Sequence, residues 1–416
     1  GRLRDAAVVL EGDRIAWVGP ASAAPAADER FDAADRAVLP GWVDSHTHLV
    51  FAGDRTAEFE ARMAGEAYAA GGINVTVSAT RAASDAQLEA NLARLVAEAR
   101  RGGTTTLETK TGYGLTLADK LRPARLAGRP VDAVTFLGAH VVPAGEDPGA
   151  YLDLVTGPML KAVAPHVSAV DVFCETGAFD EAASRRVLEP ASGAGLATRV
   201  HGNQLGPGPG VRLAVEHGSL SVDHLGFLDE ADVEALAGSW SGDARGTVAT
   251  VLPACDLSTR MPLAPARRLL DAGAMLAIAS NCNPGTSYTS SMGFCVATAV
   301  LQMGLTVQEA VRAATLGGAL ALGMDEGGWR DPRGLPHVPG ANRPRASLTV
   351  PSPLFRSSSL ISPPSFCSLP AGEAPRRAEL PYPLPPHGAN RSQALRSVSQ
   401  KPAAPGGSSC RAQSPR

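Results

Sequence analysis

Residues Pro40-Gly41-Trp42-Val43-Asp44-Ser45-His46-Thr47-His48-Leu49 form the stretch on which the fold prediction rests. An apolar run enters through a Pro-Gly turn and ends on two histidines. In an extended strand, side chains two positions apart point to the same face, so His46 and His48 can present both imidazoles to one cation. A bare His-x-His is more often a chance pair on a surface strand. It predicts a metal site only when further strands that end in histidine follow.

Apolar strands alternate with Ala/Leu/Arg-rich helical stretches from Val38 to about Gly323. Such alternation predicts right-handed βαβ units and a parallel sheet. Eight strands close a TIM-type (β/α)8 barrel, and a span of roughly 280 residues fits that α/β fold. The alternative, an open doubly wound sheet, asks for a Gly-rich phosphate turn that neither Gly71-Gly72 nor Gly102-Gly103 supplies. The candidate strands are 39–43, 104–109, 133–139, 169–174, 196–200, 220–223, 247–252 and 275–279.

The chain divides into three predicted regions. Residues 1–37 read as short strands joined by a hairpin turn, which predicts a small, partial β-sandwich. Residues 38–325 form the predicted barrel. Residues 326–416 hold 17 of the 33 prolines, with many serines and arginines and no sustained periodicity. That composition predicts a low-complexity, disordered tail.

Composition and charge exclude several function classes. The net charge of −3 hides an acidic body, with 26 basic and 38 acidic residues before Gly327, and a basic tail with 12 and 3. An acidic body without a basic stripe argues against nucleic acid as a partner. No window reaches the roughly 18 apolar residues of a membrane span. The six cysteines show no paired spacing, which predicts free thiols in the cytoplasm.

The working groups of a β/α barrel sit at the carboxyl ends of its strands. Five of the seven histidines before Gly327 fall at such ends, and five in register are hard to assign to packing. His166 and His217 fall in helical or loop contexts and are expected to be structural. The residues on the predicted rim are His46 and His48 after strand one, His140 after strand three, His201 after strand five, His224 after strand six and Asn281 after strand eight.

One zinc or iron(II) ion is the predicted cofactor. His46, His48 and His201, with an oxygen ligand from strand eight, would hold the ion and leave one position open, which favours hydrolysis by an activated water. Two-metal barrels use a modified lysine at the end of strand four, but residues 171–175 contain none. Imidazole suits zinc and iron alike, so the choice of metal stays open.

Several segments together closely resemble the imidazolonepropionase family of the amidohydrolase superfamily. The resemblance covers residues 1–325, and the tail does not match. It implies hydrolysis of 4-imidazolone-5-propanoate to N-formimidoyl-L-glutamate in cytoplasmic histidine degradation, with a small molecule as the partner and, by analogy with similar barrels, a possible homodimer. The matching segments are Val43-Asp44-Ser45-His46-Thr47-His48, Lys110-Thr111-Gly112-Tyr113-Gly114-Leu115, Leu137-Gly138-Ala139-His140, His201-Gly202-Asn203-Gln204 and Asn283-Pro284-Gly285-Thr286, together with Arg55.

The resemblance also implies roles for individual residues. Arg55 would bind the propanoate with its planar fork of donors. His224 would polarise the carbonyl under attack, with Gln204 and Asn281 as further catalytic residues. Asn281 would also be the fourth metal ligand. The predicted substrate-binding residues are Arg55, Tyr113, His140, Gln204, Asn283, Gly285 and Thr286.

Two features depart from the family pattern. Asn281 stands where the family has an aspartate that ligates the metal and accepts a proton, and a neutral amide cannot be a base near pH 7. We therefore expect weak metal binding and slow turnover, both restored by Asn281→Asp. The strands that complete the family's β-sandwich do not follow Glu326, which suggests a frameshifted or misjoined gene.

Two other functional classes fit part of the pattern. A related deaminase would share the His-x-His and the histidines of strands five and six, but it has no evident use for Arg55 and Tyr113 as carboxylate binders. A non-catalytic homologue would keep the pocket as a binding module, and Asn281 is the residue that favours it. Imidazolone propanoate and purine or pyrimidine amines, offered as substrates, would separate these classes.

Overall fold

The computed structural model describes residues 2–11, 14–34, 36–66, 72–241, 245–325, 328–329 and 348–349. Nearly all of the predicted tail, 326–416, thus lies outside the described residues, and its predicted disorder stays a prediction, as do the predicted region boundaries. Two short strands are described beyond residue 325. Gly328–Trp329 pairs with Met324–Asp325, and Leu348–Thr349 pairs with Leu39–Pro40, both antiparallel.

Eight parallel strands form the centre of the structure, and each pairs with the next one along the chain. The last strand returns to the first, because the amide N–H of Asn281 donates to His46 O at 2.9 Å and that of His48 donates to Cys282 O at 2.9 Å. The predicted (β/α)8 barrel is therefore confirmed. After β1 (Ala6–Glu11), β2 (Arg14–Pro20) and β3 (Leu39–Pro40), its strands are β4 (Trp42–Asp44), β5 (Thr104–Lys110), β6 (Ala133–Ala139), β7 (Ala169–Cys174), β8 (Ala197–Gly202), β9 (Ser221–His224), β10 (Val248–Val251) and β11 (Leu276–Ile278).

The predicted first strand, 39–43, is divided at Gly41 into β3 and β4. A Cβ at Gly41 would collide with the side chain of Thr105, so the chain passes the second barrel strand closely there. Only β4 enters the barrel. The division leaves β3 free to pair outside the barrel, and the two histidines still follow directly after β4.

Strand residues alternate between two environments. Val170, Val172 and Val200 are fully or almost fully buried in the hydrophobic core between the sheet and the helices. Asp171 and Arg199, one position away, are equally buried but contact charged groups inside the barrel. The period of two thus gives the barrel an apolar outside and a charged inside.

Helices surround the barrel. Ser84 and Gln87 form a capping box at the start of the 17-residue third helix. None of the described helices combines the length and the apolar character that a membrane span requires. The helices are α1 (Thr56–Met63), α2 (Ile73–Ala82), α3 (Asp85–Arg101), α4 (Leu117–Ala127), α5 (Pro148–Leu154), α6 (Leu160–Val163), α7 (Glu181–Gly193), α8 (Gly210–Glu216), α9 (Glu230–Gly238), α10 (Pro253–Thr259), α11 (Ala266–Asp271), α12 (Met292–Gln302), α13 (Val307–Arg312) and α14 (Gly318–Ala321).

The N-terminal strands β1 and β2 form the predicted antiparallel hairpin. Its apolar side chains are poorly covered: Leu10 and Ile15 are each 48% exposed and Val18 is 50% exposed. The hairpin therefore contrasts with the barrel, where the apolar strand residues are almost completely buried.

Candidate metal centre and substrate pocket

Three histidines converge at the carboxyl end of the barrel. His46 and His48 follow β4, and His201 lies in β8, one residue before its end. One ring nitrogen of each can be chosen so that all three lie within 4.8 Å of one another. The side chains are at most 4% exposed. The structure thus brings together the three imidazoles for which the sequence predicts a shared ion.

Unpaired buried atoms test whether these residues fit a metal ion. His46 Nε2 and Asn281 Oδ1 are buried and have no hydrogen-bond partner among the described residues. Such atoms are costly inside a protein unless something satisfies them. Three imidazole nitrogens and one amide oxygen form a donor set that suits zinc or iron(II). The residues present therefore fit the predicted ion.

Burial keeps three of the site histidines neutral. It lowers the pKa of His46, His48 and His224 well below the ordinary histidine value, and neighbouring positive groups lower it further. A metal ligand must be an unprotonated imidazole. The site therefore holds these histidines in the form that binds a cation near neutral pH.

A network of charged side chains lies inside the barrel behind the histidines. Lys110 Nζ is 2.9 Å from Asp171 Oδ2 and 3.1 Å from Glu108 Oε1, and Arg199 Nη2 is 3.3 Å from Asp223 Oδ2. Each of these five side chains is at most 1% exposed. None of these five residues was predicted from the sequence to belong to the site. Single charged residues inside otherwise apolar strands were the signal that could have identified them.

A pocket opens beside the three histidines. Ten residues that the sequence assigned to the site line it, whereas His46 and Gly285 do not. Seven lining residues were not predicted, namely Ile73, Val141, Phe173, Thr176, Gly177, Ala178 and Leu205. The ten predicted residues are His48, Arg55, Tyr113, His140, His201, Gln204, His224, Asn281, Asn283 and Thr286.

Arg55 is held by a carboxylate that the sequence analysis did not identify. Its Nε donates to Glu58 Oε2 at 2.8 Å and its Nη2 donates to Oε1 at 2.7 Å. Glu58 also accepts from Arg62, whose Nη2 donates to Gly285 O at 2.6 Å. A Cβ at Gly285 would collide with Arg55 Nη1. Gly285 therefore makes room for the guanidinium and does not itself line the pocket.

Asn283 organises the loop that follows the last barrel strand. Its Oδ1 accepts from the backbone N–H groups of Gly285 and Thr286, each at 2.8 Å. Its Nδ2 donates to Asn281 O at 2.6 Å and to Thr286 Oγ1 at 2.8 Å. All four hydrogen-bonding positions of the amide are thus used within the loop. Asn283 shapes the pocket wall by fixing Thr286.

Tyr113 and His140 line the pocket beside His48, with their ring centroids 6.0 Å apart. His140 Nδ1 is 3.1 Å from Gly112 O, and a Cβ at Gly112 would lie 3.1 Å from the Nδ1 atoms of His48 and His140. Burial, with a smaller contribution from Lys120, lowers the pKa of His140 to about 3. His140 is thus a neutral hydrogen-bonding group in the pocket.

Comparison with known proteins gives a direct assignment. No protein-family model matches the chain. The chain is 68% identical over 329 residues to an imidazolonepropionase of Arthrobacter sp. (strain FB24), with 78% of this chain and 82% of that protein covered. It is 66% identical over 352 residues to an imidazolonepropionase of Saccharopolyspora erythraea, with 85% and 88% covered.

The chain belongs to the imidazolonepropionase family. The resemblance stated from the sequence motifs is thereby confirmed. A solved structure supports the fold: the zinc-bound adenosine deaminase of Xanthomonas campestris aligns with a TM-score of 0.53 at 21% identity, over 77% of this chain and 76% of that one.

The imidazolonepropionase family implies Gln204, His224 and Asn281 as catalytic residues, and these line the pocket next to the three histidines. Two acidic residues that were not predicted from the sequence, Glu175 and Asp256, lie beside them. The backbone N–H groups of Gln204 and Leu205 donate to the Glu175 carboxylate. His224 adopts a left-handed backbone with φ of 87°. Its ring lies close to Cys255 and Asp256, with one ligand atom of each within 4.8 Å. Backbone strain of this kind is typical of functional sites.

Asp256 differs from the other site carboxylates. Burial raises its pKa to about 8, and the backbone N–H of Ala264, which donates to Oδ2, offsets this only in part. Asp256 is therefore a protonated acid at neutral pH. No sequence pattern singles out Asp256, because a single Asp in the first turn of a helix is an ordinary helix-start residue.

Proposed function

We propose that this chain hydrolyses 4-imidazolone-5-propanoate to N-formimidoyl-L-glutamate, with one divalent ion held by His46, His48, His201 and Asn281. The observation that carries the proposal is the identity of 66–68% to imidazolonepropionases over most of both chains. The convergence of the three buried histidines beside a pocket supports it. We further propose a cytoplasmic enzyme with a small molecule as its partner, without nucleic acid or membrane partners, and, by analogy with similar barrels, a homodimer.

A zinc or iron(II) ion, when bound, acts as a Lewis acid that lowers the pKa of water and polarises a carbonyl. The chain's own contribution begins with His224. A neutral imidazole offers one N–H donor, and the low pKa of His224 keeps its ring neutral. His224 can therefore donate a hydrogen bond to the carbonyl oxygen of the substrate ring. This hydrogen bond becomes stronger as negative charge develops on that oxygen.

Recognition of the propanoate rests on Arg55. Two arginines share Glu58, so the group of Arg55, Glu58 and Arg62 carries a net charge of 2 − 1 = +1. The contacts to Glu58 use Nε and Nη2 of Arg55. Its Nη1 is thus the part of the fork that can meet a substrate carboxylate. Tyr113 and His140 supply further hydrogen-bonding groups across the pocket.

Asn281 limits the rate in this proposal. Its amide oxygen can reach an ion but carries no charge and takes up no proton near neutral pH. A general base contributes about 10²- to 10⁴-fold to such reactions. We therefore propose slow but measurable hydrolysis, and this separates the chain from a homologue that only binds.

Purified full-length protein loaded with zinc or with iron(II) tests the proposal. Loss of the imidazolone absorbance is expected with imidazolone propanoate, and no ammonia release is expected from purine or pyrimidine amines. Deamination would support the deaminase alternative and contradict the proposal. Binding of imidazolone propanoate without turnover would support the non-catalytic alternative, for which Asn281 is the favouring observation.

A further inference from the structure

Two of the three histidines at the candidate metal centre have a carboxylate behind them. His46 Nδ1 is 2.7 Å from Asp223 Oδ2, and His201 Nδ1 is 3.0 Å from Asp171 Oδ2. Both carboxylates are completely buried. The His46 contact is a hydrogen bond, whereas the Nδ1 atoms of His201 and His48 are both buried without an aligned hydrogen bond among the described residues. Of these two rings, only that of His201 has a carboxylate at ion-pair distance.

The two carboxylates share their counter-ions. Lys110 Nζ is 2.9 Å from Asp171 Oδ2 and 3.9 Å from Asp223 Oδ2. Arg199 Nη2 is 3.3 Å from Asp223 Oδ2, and its Nη1 is 3.6 Å from Glu108 Oε1. These residues come from four strands of the barrel, β5, β7, β8 and β9. The carboxylates behind His46 and His201 therefore belong to one ion network.

We propose that Asp171 and Asp223 are positioning residues that act as one unit through Lys110 to fix the two histidines for metal binding. An imidazole that donates its Nδ1–H to a carboxylate has its tautomer and ring orientation fixed, and it presents Nε2 to the ion as a stronger ligand. His46 Nε2 is the buried, unpaired atom that this arrangement leaves. The inference rests on the metal site of the proposed function.

Charge explains why the network needs its cations. Three buried carboxylates, Glu108, Asp171 and Asp223, face two buried cations, Lys110 and Arg199, for a net charge of 2 − 3 = −1. A buried carboxylate without a partner is costly. The cations keep both aspartates ionised, and the remaining negative charge favours a divalent cation at the histidines.

Sharing one lysine makes the two aspartates interdependent. When one carboxylate is neutralised, the Lys110 ammonium can move toward the other and change its position relative to the histidine. Residues within one ion network show non-additive effects in double-mutant cycles. Two independent carboxylate–histidine pairs would instead give effects on metal affinity that multiply.

Full-length protein, freed of metal and titrated with Co²⁺ alone, tests the inference. The dissociation constant is measured by chelator competition, and the visible Co²⁺ spectrum reports ligand geometry. Asp223→Asn and Asp171→Asn are each expected to weaken binding about 10- to 100-fold. In the double variant, the fold-loss of Co²⁺ affinity is expected to be smaller than the product of the fold-losses in the two single variants. Asp223→Glu and Asp171→Glu keep the negative charge. Their Co²⁺ affinities are expected to be closer to that of the parent than the affinities of the Asn variants.

Asp132→Asn is the matched control. The Asp132 carboxylate accepts from Leu107 N at 2.9 Å next to the start of β6, at the end of the barrel away from the histidines. This variant is expected to lower stability without changing Co²⁺ affinity or the spectrum. A merely structural role for Asp171 and Asp223 would give the same pattern as Asp132→Asn.

The outcomes separate this inference from the proposed function. A parent protein that does not bind Co²⁺ overturns the metal site and the inference together. A parent that binds Co²⁺ while the folded Asn variants bind it within twofold of the parent overturns the inference alone. Effects that multiply in the double variant contradict the shared unit.

Discussion

The two sides of the pocket are built differently. On the side of the three histidines, His46 and His201 are backed by carboxylates on other barrel strands, and these carboxylates are held by buried cations. On the substrate side, Arg55 and Thr286 depend on a helix start and on a turn tied by Asn283. Strands, and the residues that directly follow them, position the candidate ion ligands. Loops carry the side chains that we propose bind the substrate.

His201→Ala breaks the metal side and has the largest expected effect. Removal of one of the three imidazoles leaves too few ligands to hold the ion, so hydrolysis is expected to fall on the order of 10³-fold or more. Metal analysis and the rate of imidazolone loss check this. His217→Ala is the matched control, because His217 is partly buried beside Arg185 and away from the pocket. Equal losses in both variants would count against the assignment of His201.

Asn281→Asp tests whether the neutral amide at the candidate metal centre limits metal binding and turnover. It supplies an anionic ligand and a base at nearly the same size, and the backbone φ of 51° at this position is one that Asn and Asp both tolerate. Metal affinity is expected to rise, and kcat is expected to rise about 100-fold, the effect of one general base. Metal content and kcat are measured for both proteins. Identical values would show that Asn281 does not limit the reaction.

The metal side was largely predictable from sequence and the substrate side was not. Periodicity and strand ends located His46, His48 and His201, with the limits of seven barrel strands shifted by at most two residues. The first barrel strand starts three residues later than predicted, because Gly41 divides it. Periodicity gave no sign of the bond from Arg55 to Glu58 or of the loop bonds of Asn283, because loop geometry depends on long-range contacts. The roles of those residues came only from the family resemblance.

The buried charged side chains were not predicted from the sequence, for a different physical reason. Lys110 and Arg199 lie on different strands, and only barrel closure brings them to the aspartates that they neutralise. A single charged residue in an apolar strand shows that a partner must exist. It does not show which residue the partner is.

Arg55→Met tests the substrate side alone. It keeps a long side chain but removes the donors for the propanoate, so KM is expected to rise about 10- to 100-fold while kcat changes little. Steady-state kinetics on imidazolone propanoate and on its uncharged propanamide analogue measure this. For the uncharged analogue, the substitution is expected to raise KM much less. Equal losses with both substrates would mean that Arg55 does not recognise the carboxylate.

Asp256→Asn has the smallest expected effect, on stability. The pKa of Asp256 is raised to about 8 in the folded chain, so the folded state holds this proton while the unfolded state releases it above about pH 4. The parent therefore loses stability as the pH rises from about 4 to 8, and the variant escapes that loss. The difference in apparent Tm between the variant and the parent is expected to increase by a few degrees in favour of the variant as the pH rises from about 5 to about 8.

The exposed Asp271→Asn variant is the control for this pH dependence. Asp271 is 63% exposed and pairs with Arg267 on the surface. Its Tm difference from the parent is expected to stay flat across the same pH range. A flat difference for Asp256→Asn as well would show that the buried carboxyl does not hold its proton.

Metal dependence of hydrolysis tests the central claim most directly, namely that the three converging histidines hold one catalytic ion. Chelator-treated protein is titrated with zinc or iron(II), and bound metal and the rate of imidazolone propanoate loss are measured on the same samples. We predict negligible rate without metal and a rate that rises in proportion to binding, up to one ion per chain. An undiminished rate in protein shown to be metal-free would contradict it.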